Sequence, residues 1–301
     1  MTVRTGTLTL PHGITLHCRS SGSPDQPLLV FLHGFPEGAF VWDALLARFG
    51  TDFHCVAPDL RGYGHSSQPQ AIEDYRPKLL VQDLATLIEI LTPGRPAACV
   101  MAHDWGGALA WNLANQHPKL MQTLCILNAP HPGTFLRELQ TNPAQQAASQ
   151  YMHFLRRPDA PTLLLADGAQ RLFGFFKHPD GSWPDWLTPE LRAQYLAHWQ
   201  LGMHGPCAYY AASPLVPPRA DDAGALALQL PDAMLRIEVP THVIWGEQDH
   251  ALLPSLLDGL TAWVPDLHVH RIAHASHWLV HEAPDTIAQL LREQVLRNLQ
   301  S

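Results

Sequence analysis

The sequence predicts an α/β fold with a mostly parallel central sheet, helices on both faces and an inserted helical lid. Short apolar runs bounded by turn residues indicate buried strands, and residues 77–91 carry leucines at helical spacings of three and four. After residues 128–132 the pattern changes to helical segments rich in Gln, Ala and aromatic residues, which prolines interrupt until about Arg236. We therefore expect a core of residues 1–130 and 236–301 and a lid of residues 131–235.

The core elements follow one another in an order typical of a parallel sheet. A β-rich piece from Thr5 to Arg19 precedes a five-residue apolar strand at residues 28–32, and a helix is expected over residues 77–91. The remaining apolar runs that indicate strands are residues 96–101, 124–127, 241–245 and 267–272. Functional side chains are expected in the loops that follow these strands.

The segment Ala102-His103-Asp104-Trp105-Gly106-Gly107 joins a predicted strand to a predicted helix. Small residues two before and two after Asp104, namely Ala102 and Gly106, relieve crowding in a sharp turn that presents a nucleophile. We therefore interpret Asp104 as a nucleophile, because a carboxylate can form an ester with an electrophilic carbon. On this segment alone, the alternative is a surface aspartate that caps the helix beginning at Trp105.

Two polar side chains follow the last two predicted strands. With Asp104 they give the order nucleophile, acid and histidine along the chain, which a fold with such a turn requires. Asp249 would orient the imidazole of His277, and His277 would act as the general base on water. Taken singly, each could be an ordinary turn or surface residue. The competing candidates for these two roles are His274, His281 and Glu247.

The loop after the strand at residues 28–32 reads His33-Gly34-Phe35-Pro36-Glu37. One backbone N–H of such a loop and one from the residue after the nucleophile can form an oxyanion hole, which indicates Phe35 and Trp105. Without the other segments, this loop would be interpreted as an ordinary strand-to-helix turn. The residues here that we expect to border a bound substrate are His33, Pro36 and His103.

The chain resembles the α/β-hydrolase-fold epoxide hydrolases through five motifs. These are HGFPE at His33, DLRGYGHS at Asp59, HDWGG at His103, WGEQD at Trp245 and HW at His277. The motifs extend from residue 33 to residue 278, so the resemblance covers nearly the whole chain. It implies an enzyme that opens an epoxide to a vicinal diol through an aspartyl ester.

The resemblance also implies two lid tyrosines that hold the epoxide oxygen. Tyr151 and Tyr210 are the candidates, and Tyr209 competes with Tyr210 for the second role. Phe154 and Trp186 are expected to contribute apolar walls to the substrate site. For most lid aromatics the alternative interpretation is ordinary packing.

Two other functions compete with this one. A dehalogenase would use the same ester, and Trp105 would suit a halide. Trp105 and Leu109 stand where a fluoroacetate-type enzyme carries arginines, and Phe35 stands where a haloalkane-type enzyme tends to carry asparagine. A serine esterase is disfavoured because the turn carries no serine. From another class, the chain could be a non-catalytic receptor for a hydrophobic ligand on the same scaffold.

The composition excludes several classes of binding partner. A net charge of −8 with 15% charged residues leaves no basic stripe for nucleic acid, so we expect a small apolar or neutral substrate and water. No apolar run reaches the roughly 18 residues of a membrane span, and five irregularly spaced cysteines are typical of reduced residues in a cytoplasmic protein. No zinc signature appears among the 19 histidines, so neither a metal nor a cofactor is expected. A homodimer remains open.

Overall fold

A computed structural model describes residues 1–296 and places a single eight-stranded sheet at their centre. The strands are β1 (Arg4–Thr9), β2 (Thr15–Ser21), β3 (Leu28–Leu32), β4 (His54–Pro58), β5 (Ala97–His103), β6 (Met121–Leu127), β7 (Thr241–Gly246) and β8 (Leu267–Ile272). Their order across the sheet is β1-β2-β4-β3-β5-β6-β7-β8. β1 pairs with β2 and β2 with β4 in antiparallel fashion, and every later pair is parallel. The predicted fold class is confirmed.

The central strands are buried on both faces, as parallel strands covered by helices must be. Every residue of β3, β4 and β5 is buried. Along β3, Leu29 and Phe31 pack into one hydrophobic cluster, while Leu28, Val30 and Leu32 pack into the cluster on the opposite face. This alternation explains why the strand is a continuous apolar run in the sequence.

Helices cover both faces of the sheet. α1 (Asp43–Phe49) packs on the face of Phe31, whereas α2 (Pro77–Leu91) and α3 (Asp104–Gln116) pack on the other face. α2 has the bounds that the leucine spacing predicts, and its buried side chains include Leu80, Leu84 and Leu87.

Between β6 and β7 the chain forms a helical insertion at the place expected for the lid, and it is called the lid below. Its helices are α4 (Pro132–Thr141), α5 (Pro143–Ala148), α6 (Tyr151–Leu155), α7 (Ala160–Gly174, kinked at residues 166–169), α8 (Pro189–Trp199) and α9 (His204–Ala212). Prolines occupy the first turn of α4, α5, α7 and α8, where a missing N–H costs no intrahelical hydrogen bond. The prolines that break the sequence pattern therefore mark several of the helix starts.

After β8 the chain returns to the face that α1 covers. α10 (Leu279–Glu282) and α11 (Pro284–Leu290) lead into a π-helical turn at Leu291–Val295. Ile287 and Leu291 join the cluster that contains Phe31. Within residues 1–296, no helix combines the length and apolar character that crossing a membrane requires.

Candidate active site

Asp104 occupies a strained turn between β5 and α3. Its φ is 48°, in the left-handed region that a residue with a side chain rarely adopts. A Cβ added at Gly106 would lie 2.6 Å from the Leu32 carbonyl oxygen and 2.5 Å from that of His33. The turn is therefore pressed against the end of β3, and only a residue without a side chain fits two positions after Asp104.

The loop after β3 holds one oxygen of this carboxylate. The Phe35 N–H donates to Asp104 Oδ1 at 2.7 Å, and the Phe35–Pro36 peptide bond is cis. A Cβ at Gly34 would lie 2.3 Å from the same oxygen, so the close approach requires glycine. Trp105 lies in the first turn of α3, where backbone N–H groups have no intrahelical acceptor. Two backbone donors are thus available beside Asp104.

His277 lies between the two carboxylates. Its Nδ1 is 2.7 Å from Asp249 Oδ2, and its Nε2 is 3.6 Å from Asp104 Oδ2. Burial lowers the pKa of His277, but the charge and hydrogen bond of Asp249, followed by the charge of Asp104, outweigh it and raise the pKa to about 9. The resting site therefore favours an imidazolium between two carboxylates.

Asp249 is buried and fixed by several donors. Its Oδ1 accepts the N–H groups of Ala251 and Leu252, both at 2.8 Å, and its Oδ2 accepts the Asn128 side-chain amide at 2.7 Å. Burial alone would raise the pKa of Asp249, but the charge of His277 and these hydrogen bonds hold it below its ordinary value. The carboxylate is therefore ionised and oriented toward the imidazole.

Two lid tyrosines face the same site. Tyr151 begins α6 and Tyr210 lies in α9, with their ring centroids 6.1 Å apart. Tyr210 packs edge-on against Trp105 at 5.1 Å and against Phe35 at 5.3 Å. Burial above all, with a contribution from the charge of Asp104, raises the pKa of both phenols. Both phenols are therefore protonated at neutral pH.

The residues that competed for these roles either bond other groups or are exposed to solvent. The Tyr209 hydroxyl donates to the Arg61 carbonyl oxygen at 2.9 Å. Glu247 pairs with Arg271 at 3.1 Å, and His274 is exposed. The fourth competitor is His281. Its Nε2 lies 2.7 Å from the buried carboxylate of Glu37, which lines neither of the two cavities described below. The structure thus brings together Asp104, His277, Asp249, Tyr151 and Tyr210.

Two cavities, of about 260 Å³ and 200 Å³, share Asp104, Tyr151 and Tyr210 in their linings. The larger cavity also contains His277 and Asp249. The smaller cavity is mainly apolar, and its lining includes Trp105, Leu109, Phe135, Leu215, Leu230 and Leu252. A molecule that reaches the carboxylate therefore has an apolar compartment on one side and the imidazole on the other.

Three loop residues that we expected to border the substrate lie outside both cavity linings, namely His33, Pro36 and His103. His33 is fully buried, and its Nε2 accepts the Leu60 N–H at 3.0 Å. His103 is also fully buried, with Nε2 2.8 Å from the His277 carbonyl oxygen. These side chains support the loops around the site instead of lining the space for a ligand.

The two expected lid walls, Phe154 and Trp186, also lie outside both linings. Phe154 packs beneath the guanidinium groups of Arg157 and Arg171, at 5.8 Å and 5.9 Å. Trp186 stacks on His281 with ring centroids 4.3 Å apart. The aromatic residues that line the larger cavity are Phe35, Tyr151, Phe175, Phe176, Tyr210 and Trp278.

A family profile described as the alpha/beta hydrolase fold matches residues 27–284. The chain is 32% identical to epoxide hydrolase 3 of Xenopus tropicalis, over 93% of this chain and 74% of that protein. It is 33% identical to an AB hydrolase superfamily protein of Bacillus subtilis, over 94% of each. A crystal structure of a mutant epoxide hydrolase from Bacillus megaterium matches with a TM-score of 0.86 and 32% identity, covering 97% of this chain and all of that one. The chain belongs to the α/β hydrolase family that includes the epoxide hydrolases.

This α/β hydrolase carries a carboxylate where related turns can carry serine. A serine hydroxyl needs a base before it attacks, whereas an ionised carboxylate does not.

The sequence analysis did not predict two polar residues near the site, Asn128 and Glu37. Asn128 has a φ of 35° and bridges Asp249 to the Gly246 N–H, which donates to its Oδ1 at 2.7 Å. Its position directly after β6 was a usable signal, because functional side chains gather at the ends of parallel strands. Glu37 also follows a strand-end motif, but no local pattern reveals its partners in the lid.

Proposed function

We propose that this enzyme opens epoxides to vicinal diols through a covalent ester on Asp104. One observation carries the proposal: two phenols share a cavity lining with a carboxylate whose neighbouring imidazole lies 3.6 Å away. The carboxylate supplies a nucleophile, the phenols supply protons to a leaving oxygen, and the imidazole supplies a base.

In the first step, Asp104 attacks a ring carbon and the bond from that carbon to the ring oxygen breaks. The attacking atom is Oδ2, because the Phe35 N–H already holds Oδ1. The departing oxygen takes a proton from Tyr151 or Tyr210, and solvent later reprotonates the phenolate. A phenol suits this task because it stays protonated at neutral pH yet can yield its proton to a basic alkoxide.

In the second step, His277 activates water. Ester formation removes the negative charge of Asp104, which is one of the groups that raise the pKa of His277. The imidazolium then loses its proton more readily and becomes a base. The water attacks Cγ, and the Phe35 and Trp105 N–H groups stabilise the negative charge on Oδ1. Collapse of this intermediate breaks the bond from Cγ to Oδ2, and the departing oxygen takes from His277 the proton that the base removed from water, which releases the diol.

The residues that line the two cavities also indicate which class of substrate the site accepts. The apolar side chains of the smaller cavity favour an apolar or neutral substituent. Because both tyrosines face Asp104, the leaving group they favour is an oxygen that must be protonated. Diol formation measured against chloride release, on styrene oxide and a short haloalkane, distinguishes this activity from dehalogenation.

A single turnover in ¹⁸O-labelled water tests the ester route. With enzyme in excess over styrene oxide, the peptide that contains Asp104 should gain one ¹⁸O, because water oxygen stays on Cγ. The diol from that turnover should carry the original carboxylate oxygen. Enzyme in labelled water without epoxide is the control. Label in the diol alone would mean that water attacks the epoxide directly, and the ester route would be rejected.

His277→Gln tests the base. Ester hydrolysis should slow by about 10²-fold to 10⁴-fold, the usual contribution of a general base, while ester formation proceeds. Intact-protein mass spectrometry after exposure to styrene oxide should show the alkylated enzyme. A spectrum with only the free variant would contradict the assignment of His277.

A further inference from the structure

Three histidines form a cluster on the last two strands of the sheet, apart from the two cavities. His242 lies in β7, and His268 and His270 lie in the edge strand β8. Side chains two residues apart on a strand share a face, and His242 is the register partner of His268. The rings of His242 and His268 stack with centroids 4.7 Å apart, and those of His242 and His270 with centroids 5.4 Å apart. These three residues are called the histidine cluster below.

The nitrogens of two of these rings converge. His242 Nδ1 lies 3.1 Å from His270 Nε2. Two nitrogens that bind one transition-metal ion at about 2.0 to 2.1 Å, at neighbouring corners of its coordination shell, lie roughly 3 Å apart. The ring that donates this hydrogen bond can carry its proton on its other nitrogen instead, which leaves a lone pair on both facing atoms. The separation therefore matches that of two imidazole ligands of a single ion.

Both of these imidazoles are neutral at neutral pH. Burial, followed by the charges of His268 and His270, lowers the pKa of His242 to about 4. Burial and the charge of His268 also lower the pKa of His270. Neutral imidazole is the form that binds metal, so protons compete weakly for these nitrogens.

The third histidine of the cluster carries an acidic neighbour. His268 Nε2 lies 3.3 Å from Asp266 Oδ1, and both side chains are exposed. A carboxylate on one nitrogen of a histidine leaves the other nitrogen for a metal, and its negative charge favours a cation nearby. Within residues 1–296, however, no group of three His, Cys, Asp or Glu side chains is arranged to hold an ion. Two ligands are thus in place, and water or a rotated His268 would complete the coordination.

We propose that the histidine cluster binds a divalent transition-metal ion such as Zn²⁺, Ni²⁺ or Cu²⁺, with His242 and His270 as its ligands. Imidazole suits these ions, whereas Mg²⁺ prefers oxygen ligands. The ion plays no part in the ester chemistry; it ties the edge strand β8 to β7. Sequence signatures for zinc consist of local motifs, whereas these ligands come from two strands that meet only in the fold.

Isothermal titration calorimetry at neutral pH, on protein without a polyhistidine tag, tests the site. ZnCl₂ should bind with one ion per chain. The affinity should be higher for Cu²⁺ than for Ni²⁺ and Zn²⁺ and lowest for Mn²⁺, the order that nitrogen ligands impose. MgCl₂ should give no heat of binding. Equal binding of Mg²⁺ and Zn²⁺ would contradict imidazole ligation.

Three variants locate the bound ion. His270→Gln should weaken Zn²⁺ binding at least as much as loss of a supporting partner does, about 10-fold to 100-fold. His65→Gln is the matched control, because the exposed His65 forms another pair of neighbouring histidines with His17, at a centroid distance of 5.4 Å. His277→Gln excludes binding at the catalytic imidazole. Both of these variants should bind Zn²⁺ with the affinity of wild type.

Thermal unfolding gives a second readout. An ion that binds only the folded chain stabilises it by mass action. At a free Zn²⁺ concentration of about ten times Kd, the Tm of wild type should rise by about 2 to 4 °C. The Tm of His65→Gln should rise equally, whereas that of His270→Gln should stay within about 1 °C of its value without metal.

The proposal is overturned if wild type binds no Zn²⁺, if folded His270→Gln binds it as wild type does, or if only His65→Gln or His277→Gln loses it. If His270→Gln does not fold, modification of wild type by diethyl pyrocarbonate decides, because this reagent acylates free imidazole nitrogens. Peptide mass spectrometry should show that Zn²⁺ protects His270 and leaves His65 reactive. Equal modification of His270 with and without Zn²⁺ would also overturn the proposal.

Discussion

The strand-end loops and the lid hold their reactive side chains by different means. In the loops, directional bonds fix both carboxylates: Phe35 donates to Asp104, while Ala251 and Leu252 donate to Asp249. In the lid, Tyr151 and Tyr210 are positioned by edge-on aromatic packing at 5.1 to 6.1 Å. Hydrogen bonds tolerate little change in geometry, whereas aromatic packing can be rebuilt with other apolar residues. The loops are therefore suited to the fixed geometry that the proposed ester chemistry needs, whereas the packing of the lid can change with the substrate.

The largest expected effect lies in the loops. Asp104→Asn should reduce kcat/KM for styrene oxide by at least about 10⁴-fold, because a neutral amide is a poor nucleophile. Asparagine tolerates the left-handed backbone and keeps an acceptor for the Phe35 N–H, so folding should be preserved. Diol formation is measured by chromatography, and intact mass verifies that the amide has not hydrolysed. Substantial turnover by the intact amide would remove Asp104 from the chemistry.

Loss of the lid phenols should slow the same step, ester formation, by a smaller factor. Replacing both Tyr151 and Tyr210 by Phe should slow ester formation from an epoxide by about 10²-fold to 10⁴-fold, since the leaving oxygen loses its acid. Any displacement of halide from a haloalkane should persist, because halide needs no proton.

Tyr209→Phe is the matched control for the lid. Tyr209 lies in the same helix as Tyr210, but its hydroxyl donates to the Arg61 carbonyl oxygen. The variant should therefore leave ester formation unchanged. Rapid-quench rates for the three proteins make the comparison. Equal loss of epoxide opening and halide displacement in the double variant would contradict the role of the phenols.

The rigidity of the turn can be measured as stability. Gly106→Ala should lower the free energy of unfolding by about 2 kcal/mol, because the new Cβ would meet the carbonyl oxygens of Leu32 and His33. Gly6→Ala is the control, since a Cβ there meets no atom within 4 Å, and its effect should stay within about 0.5 kcal/mol. Denaturant unfolding gives both values. Equal stabilities would show that the turn yields more easily than its contacts indicate.

The last prediction concerns the pH dependence of stability. The folded pKa of His277, about 9, exceeds its ordinary value of 6.5, so its contribution to stability is complete below pH 6.5 and is lost as pH rises through 9. That contribution amounts to about 3 kcal/mol at most. The difference in unfolding free energy between wild type and His277→Gln should therefore narrow between pH 6.5 and 9.5. A constant difference across that range would argue against an imidazolium in the resting site.

The core was largely predictable because its signals are local. Five consecutive apolar residues indicate β3, and the leucine spacing with Pro77 before it indicates α2. The order of Asp104, Asp249 and His277 along the chain also follows from the strands that they terminate. In a parallel sheet, the position of a strand end is set by the same apolar run that reveals the strand.

The lid was less predictable because its contacts join short helices that are distant in the chain. Phe154 and Trp186 have the composition of cavity walls, yet they pack on arginines and on His281. Glu37 bonds Tyr195, which lies 158 positions later in a helix without a marked apolar face. No local pattern encodes such a pairing, since it depends on how the lid helices pack against one another and on the core.

The lid leaves the sheet after β6 and returns at β7, and these two strands are hydrogen-bonded neighbours. Strand pairing in the sheet is consequently independent of how many residues the excursion contains. A whole insertion could therefore be exchanged between relatives without disturbing the sheet, provided that the new segment again supplies two tyrosines beside Asp104. Laboratory recombination between relatives has the same natural crossover points.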